Sequence, residues 1–277
     1  MTISVHESRL RTLPVPSIGV HAAAKAVMTI GHGSLYEACV AMREKVDAFL
    51  AEEPATPLLR RVQEQVRISA RVVDEALERY RPEEISISYN GGKDCLVMLI
   101  VLLACYARRY SPPKPASSVA NGPTRLAPFP ETLHAVYIVS TDPFAEVDAF
   151  VESSSADYHL DVARFLLPMK KGLEVFKAEN PSIRAIFVGT RRTDPHGEKL
   201  KHFDPTDAGW PDFMRIHPFT RHLDIPYCSL YDQGYTSLGG RRDTVPNPRL
   251  KKQGSEHEFR PAYELIDDDE ERLGRYK

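Results

Sequence analysis

The chain has 277 residues, 42% of them hydrophobic and 27% charged, with a formal net charge of −2. That balance fits a soluble globular protein of one large domain, or one domain with additions, and argues against a disordered chain. Without a basic excess, sequence-independent nucleic-acid binding is not expected. The four cysteines (Cys39, Cys95, Cys105 and Cys228) form no C-x-x-C pair, which points to reduced thiols in a reducing compartment rather than a disulfide framework or a zinc site.

Residues 1–33 carry Arg9, Arg11 and Lys25 against Glu7, but Pro14 and Pro16 interrupt them, so a flexible N-terminal arm is expected rather than a targeting helix. Ser34 is placed to cap a helix reaching about Glu53, with Leu35, Cys39, Met42, Val46 and Phe49 along one face. Pro54 and Pro57 end it, and a second helix follows with Leu59, Val62, Val66 and Val73 on its apolar side.

Ile85, Ile87 and Tyr89 then alternate with Ser86 and Ser88 as a strand. The strand turns on Gly91 and Gly92 into an apolar helix, Leu96 to Tyr106. That helix is too short for a membrane span and ends at Arg108 and Arg109, so no membrane partner is expected. A strand, a glycine turn and a helix start bring backbone N–H groups and a helix dipole to one point, which is an anion site. Two glycines alone would be satisfied by a plain turn. Asn90, Lys93 and Asp94 around the start of a buried helix favour a phosphate site. The lysine follows the second glycine directly, so the stretch is not G-x-x-x-x-G-K-[ST].

Residues 111–130 are rich in proline and read as a surface insertion. Leu133–Ser140 reads as a buried strand, Ala145–Ser153 as a helix, Asp161–Leu167 as a short strand, Lys171–Glu179 as a helix and Ile183–Gly189 as another buried strand. The alternation predicts an α/β fold: a doubly wound, mostly parallel sheet with helices on both faces and right-handed crossovers, followed by an irregular C-terminal segment. Residues 34–277 read as a single domain, with 241–277 as its tail. Ligands of such sheets sit beyond the carboxyl ends of strands, where Asn90–Asp94 and Thr190–His196 fall. After His196 the pattern dissolves into loops.

Four further segments carry candidate chemistry. Gly189-Thr-Arg-Arg-Thr-Asp-Pro195 offers paired arginines for phosphate and Asp194 for a metal or hydroxyl, although an Arg–Asp run is more often a solvated loop. In Asp207–Phe213, Trp210 and Phe213 can bound a flat ring, although a lone Trp is more often core. Tyr235–Gly240 with Pro246-Asn-Pro248 is the third, and the charged tail from Pro261 to Arg275 is the fourth; a charged tail by itself is usually just solvated.

Together, Ser88-Tyr-Asn-Gly-Gly-Lys-Asp-Cys95, Gly189-Thr-Arg-Arg-x-Asp-Pro195, Trp210-Pro-Asp-Phe213, Tyr235-Thr-Ser-Leu-Gly239 and Glu271-Arg-x-Gly-Arg275 resemble, in order, the eukaryotic-type FAD synthetases (FMN adenylyltransferases). These are a branch of the PAPS-reductase-like PP-loop family, and the resemblance runs from about Tyr36 to Arg275. It implies transfer of AMP from ATP to FMN with release of pyrophosphate, aided by Mg²⁺, in the cytoplasm, with small-molecule substrates and no obligate protein partner. By position it implies catalytic roles for Asn90, Asp94, Arg272 and Arg275. Tyr89, Gly91, Gly92, Lys93, Gly189 and Arg191 would bind ATP, and Asp194, Asp207 and Trp210 would bind the flavin. The chain departs from the family between Pro218 and Ile225, where only Phe219–Asp224 stands in place of a Trp-containing helix. Two alternatives stay open. A PAPS or APS reductase would need a nucleophilic cysteine near the C-terminus, and Ser229–Lys277 has none. A catalytically impaired FAD- or ATP-binding protein would fit the short segment.

Overall fold

The computed structural model describes residues 31, 33–110, 129–190, 199–218, 228–255, 257–265 and 267–276. Most of the expected N-terminal arm and of the proline-rich insertion, together with Arg191, Asp194 and Phe219–Asp224, lie outside the described residues.

Two helices come first, α1 (Leu35–Ala51) and α2 (Pro57–Arg79). Each start is fixed locally. The Ser34 hydroxyl accepts from the Glu37 amide at 3.2 Å, and the Thr56 hydroxyl from Leu59 at 3.1 Å, with Pro57 in the first turn. The chain then alternates through β1 (Ile85–Ser88), α3 (Lys93–Arg109), β2 (Leu133–Ile138), α4 (Ala145–Asp157), β3 (Leu160–Phe165), α5 (Met169–Glu179) and β4 (Ala185–Phe187). Two further strands follow, β5 (Phe203–Pro205) and β6 (Met214–Ile216).

The sheet has six strands in the order β3-β2-β1-β4-β6-β5, all parallel except β5, which runs antiparallel to β6. β5 and β6 correct the expectation that the chain past His196 holds only loops. Three-residue strands are too short to show a two-residue period, and β5 carries Asp204 and Pro205, residues tolerated at an edge.

The period-two pattern sorts the core. Ile85, Ile87, Leu133, Ala135, Tyr137, Ala185 and Phe187 point to the face covered by α1 to α4. Val136 and Ile186 point the other way, against Phe176 of α5 and Phe213. Helices therefore cover both faces, with α5 on one of them and α1 to α4 on the other. α3 is apolar all round because it is enclosed, with α1 and α2 packed outside it.

Topology locates the site. β2 and β3 lie on one side of β1, and β4 and β6 on the other. The loops leaving the carboxyl ends of β1 and β4 therefore part in opposite directions, which opens a crevice between them.

Candidate functional site

A cleft of about 270 Å³ occupies that crevice. Its floor is the end of β1 (Ser88), the turn at Asn90 and Gly92, and the first turn of α3 (Lys93, Asp94, Cys95). One wall is the end of β4, with Val188, Gly189 and Thr190; the other comes from Tyr231, Thr236–Leu238 and the tail residues Glu271, Arg272 and Arg275.

The turn is built by its own residues. Gly91 has φ +72°, and a Cβ there would lie 2.8 Å from Val151 Cγ2 on α4, so both the backbone and the space require glycine. The Asn90 side-chain oxygen accepts from the Gly92 amide at 3.0 Å and from the Cys95 thiol at 3.0 Å, holding the turn against the helix start. The helix has Gly92 at its N-cap and no capping hydroxyl of its own. Instead the Tyr231 hydroxyl, 138 residues away in sequence, accepts from the Lys93 amide at 2.9 Å. The first turn of α3 thus presents its positive end to the cleft.

The Lys93 ammonium donates to the Glu271 carboxylate and to the Thr236 carbonyl, and stands 5.6 Å from the centre of the Tyr231 ring. Lys93 is thus engaged, at backbone and at side chain, by residues from the last fifth of the chain. Glu271 is buried, while Lys93 keeps 31% of its side chain exposed toward the cleft.

Asn247 fastens the tail. It is fully buried; its amide nitrogen donates to Thr236 Oγ1 at 2.9 Å and to the Glu270 carbonyl at 2.8 Å, and its oxygen accepts from the Arg249 amide at 2.9 Å. Thr236 Oγ1 in turn donates to the Glu271 carbonyl. Further on, the Val245 amide donates to the Gly274 carbonyl at 2.9 Å, and Tyr276 to Asp243 at 2.8 Å. Arg275 donates from Nη1 to the Leu238 carbonyl at 3.0 Å and pairs with Asp243 at 3.4 Å. Its Nε is buried with no hydrogen-bond partner among the described residues. Arg275 also lines the cleft, where its positive charge suits an anion.

Of the residues singled out from the sequence, Asn90, Gly92, Lys93, Asp94, Gly189, Arg272 and Arg275 meet at this one cleft. The Tyr89 side chain does not. Its ring is in the core, with the hydroxyl 2.8 Å from Ser154 Oγ, so only its backbone supports the turn. Asp207 and Trp210 lie on the turn between β5 and β6, outside the cleft lining; Asp207 pairs with Arg215 at 3.5 Å and Trp210 is 39% exposed. That turn stands beside the start of α5, because a Cβ on Gly209 would lie 3.9 Å from Lys170 Nζ, and the neighbouring Met169 lines the cleft. Arg191 and Asp194 follow Thr190 but lie outside the described residues. Tyr231 was not foreseen, nor were Asn247 and Glu271 as individual residues. The last two belong to segments marked as candidates, Pro246–Pro248 and the tail, but Tyr231 sits in a stretch without a motif.

The thiols offer no nucleophile. All four cysteines are buried, and burial pushes the Cys95 thiol up to about 12. Among the described residues no three His, Cys, Asp or Glu side chains gather as a metal site, and no helix is long and apolar enough to cross a membrane. A metal fits here only if most of its ligands arrive with the substrate; the carboxylates in the cleft lining are Glu271, which pairs with Lys93, and Asp94 in the first turn of α3.

Known proteins resemble this chain in sequence and in fold. The family profile described as phosphoadenosine phosphosulfate reductase domain matches residues 166–246. A probable FAD synthase of Schizosaccharomyces pombe is 40% identical over 225 residues, covering 77% of this chain and 80% of the relative. Among solved structures, the FMN adenylyltransferase of Candida glabrata in complex with FAD and inorganic pyrophosphate superposes with a TM-score of 0.77 at 28% identity, over 87% of this chain and 99% of that one. The same enzyme in complex with FMN and the ATP analogue AMPCPP gives a TM-score of 0.77 at 27% identity, over 87% of this chain and all (100%) of that one.

Proposed function

This chain belongs to the FAD synthase family, and we propose that it forms FAD by transferring the AMP part of ATP to FMN, with release of pyrophosphate. The observation that carries this reading is the meeting, at one cleft, of the Asn90–Asp94 turn and the tail arginines Arg272 and Arg275, 178 or more residues further on. One anion site would serve an ordinary phosphate ligand. Two cationic edges facing each other suit a reaction between two phosphate-bearing substrates.

The chemistry needs no protein nucleophile. A phosphate oxygen of FMN attacks the α-phosphorus of ATP; the new P–O bond forms as the bond to the bridging α,β-oxygen breaks, and pyrophosphate leaves with that electron pair. The protein's task is to hold two polyanions together and offset their repulsion. The first turn of α3, with Gly91, Gly92 and Lys93, would hold the departing pyrophosphate. Asn90 would orient the turn and donate to phosphoryl oxygens, and Gly189 and Arg191 would complete the ATP side. Arg272 and Arg275 would close over the reacting phosphates. A bound Mg²⁺, held on this chain by Asp94 directly or through water, would supply charge neutralisation for the phosphates. Asp194, Asp207 and Trp210 would form the flavin side.

Residues 34–277 would act as one adenylyltransferase domain, with 241–277 as the segment over the site. Four buried free thiols fit a cytoplasmic location. The reductase alternative has no support in the thiols, since each is buried. The test is direct: incubate the purified protein with ATP, FMN and Mg²⁺, and follow FAD by chromatography and pyrophosphate by a coupled assay. FAD and pyrophosphate should appear in equal amounts. Binding of both substrates without product would overturn the reading in favour of a non-catalytic binder.

A further inference from the structure

A buried carboxylate in a cleft for polyphosphates requires an explanation. Glu271 lines the cleft, is 5% exposed, and pairs with Lys93, the cation of the phosphate turn. It adds negative charge where phosphates must come, which weakens their binding unless the carboxylate serves another end.

Docking of the tail has anchors of its own. Glu271 is held through its carbonyl to Thr236 Oγ1, Glu270 through its carbonyl to Asn247 and its carboxylate to Arg249, Arg275 through its side chain to Leu238 and Asp243, and Gly274 and Tyr276 through backbone bonds to Val245 and Asp243. None of these uses the Glu271 carboxylate. The carboxylate accepts from the Lys93 ammonium, which also donates to the Thr236 carbonyl. An ammonium has three donors, and Lys93 faces the cleft with 31% of its side chain exposed, so it can reach a phosphate by exchanging Glu271 for it.

We propose that Glu271 is a positioning residue acting through Lys93: it is the resting counter-ion of the phosphate turn, displaced when the polyphosphate binds and regained when pyrophosphate leaves. This rests on the adenylyl-transfer reading above. Glu271 spares the empty site an unpaired, half-buried ammonium, and it lowers pyrophosphate affinity enough for the product to depart. It trades ground-state binding for turnover.

The consequence has an unusual sign. Removing the charge should tighten phosphate binding, whereas a residue that merely supports the fold would weaken it when changed. The probe is sodium pyrophosphate, titrated calorimetrically into the wild type, Glu271→Gln, Glu271→Asp, Lys93→Met, and Lys93→Met with Glu271→Gln. Glu271→Gln keeps the size of the side chain and should bind pyrophosphate about tenfold more tightly. Its kcat and its KM for ATP should fall together. Glu271→Asp should behave as the wild type, and in the Lys93→Met background the Gln substitution should change little.

Weaker or unchanged binding by Glu271→Gln overturns the proposal, as does tightening of the same size without Lys93. A parallel FAD-formation assay separates the two levels. A wild type that makes FAD beside an unchanged Glu271→Gln defeats the counter-ion alone. A wild type that makes no FAD, yet binds pyrophosphate more tightly once Glu271 is neutralised, defeats the reaction assigned and keeps the counter-ion.

Discussion

Asn247→Ala tests whether the tail and the cleft are one structure. Asn247 is fully buried and makes three side-chain hydrogen bonds, to Thr236, Glu270 and Arg249, all between 2.8 and 2.9 Å. Each is worth about 1 kcal/mol net, and the Glu270 carbonyl and the Arg249 amide lose a partner in a poorly hydrated place, so the total loss is about 2–4 kcal/mol. For a domain of this size that lowers the melting temperature by about 5–12 °C. Asn247→Asp should be at least as harmful despite its equal size. Thr236 Oγ1 already gives its proton to the Glu271 carbonyl, so it can only accept at this contact, and a carboxylate there would face two acceptors. Because the same bonds hold the Thr236 side chain and the backbone of residue 270, FAD formation should fall by more than tenfold, and the chain beyond residue 247 should become sensitive to limited proteolysis. Thermal unfolding, a protease time course and kcat/KM measure the three effects. A variant that melts within a degree of the wild type and keeps a protease-resistant tail would refute this account of how the tail is held.

Asp94→Ala should reduce FAD formation by at least a hundredfold with little change in melting temperature, since Asp94 is a cleft-lining residue in the first turn of α3; near-wild-type kcat/KM would remove it from the site. Gly239→Ala should act through Arg275, because a Cβ at Gly239 would stand 2.3 Å from its guanidinium and must push it off the cleft wall. The expected result is a tenfold or greater loss of kcat/KM with the fold intact, and unchanged kinetics would show that Arg275 is not needed where it stands. His217 gives a pH signature. Its burial, reinforced by the positive charge of Arg215, lowers its pKa from 6.5 to about 4. The unfolded chain therefore takes up a proton that the folded one refuses. This contribution is fully present above pH 6.5 and is lost as the pH falls toward 4, up to roughly 3 kcal/mol across the window. Melting temperature should drop more steeply from pH 6.5 to 4 in the wild type than in His217→Gln, and parallel curves would contradict the assignment.

The parts of this architecture that could be read from the sequence are those where one segment carries its own reason. Ser34 and Thr56 begin helices because their hydroxyls cap amides three residues on. The alternation of Ile85, Ile87 and Tyr89 identified a strand with one face in the core. The uncharged run after Cys95 identified an enclosed helix, and the strand–helix rhythm as far as β4 yielded the parallel sheet and hence the end at which ligands collect. Reading failed where an element draws its stability from distant partners. β6 is three residues long and exists because β4 pairs with it on one side and β5 on the other. No local pattern of Met-Arg-Ile announces this.

The site divides along the same line, and the division bears on how it works. The turn at Asn90–Asp94 declares itself because glycines, a polar cap and a helix start in immediate succession are the local signature of an anion site. What completes it does not. Tyr231 caps α3 across 138 residues, Thr236 reaches Lys93 across 143 and Glu271 across 178. Nothing in the composition of those segments marks a tyrosine as a cap or a tail glutamate as a counter-ion. Their roles come from where the chain returns. The turn is therefore not an independent unit. Its Lys93 is held at both ends by the C-terminal segment, so displacement of that segment frees the lysine and uncaps the helix together. Binding at the turn and order in the tail should be thermodynamically linked. Polyphosphate takes Glu271 off Lys93 and so removes one tie, and it should protect the tail from proteolysis only to the extent that it bridges Arg272 and Arg275 to the turn while the Asn247 bonds hold.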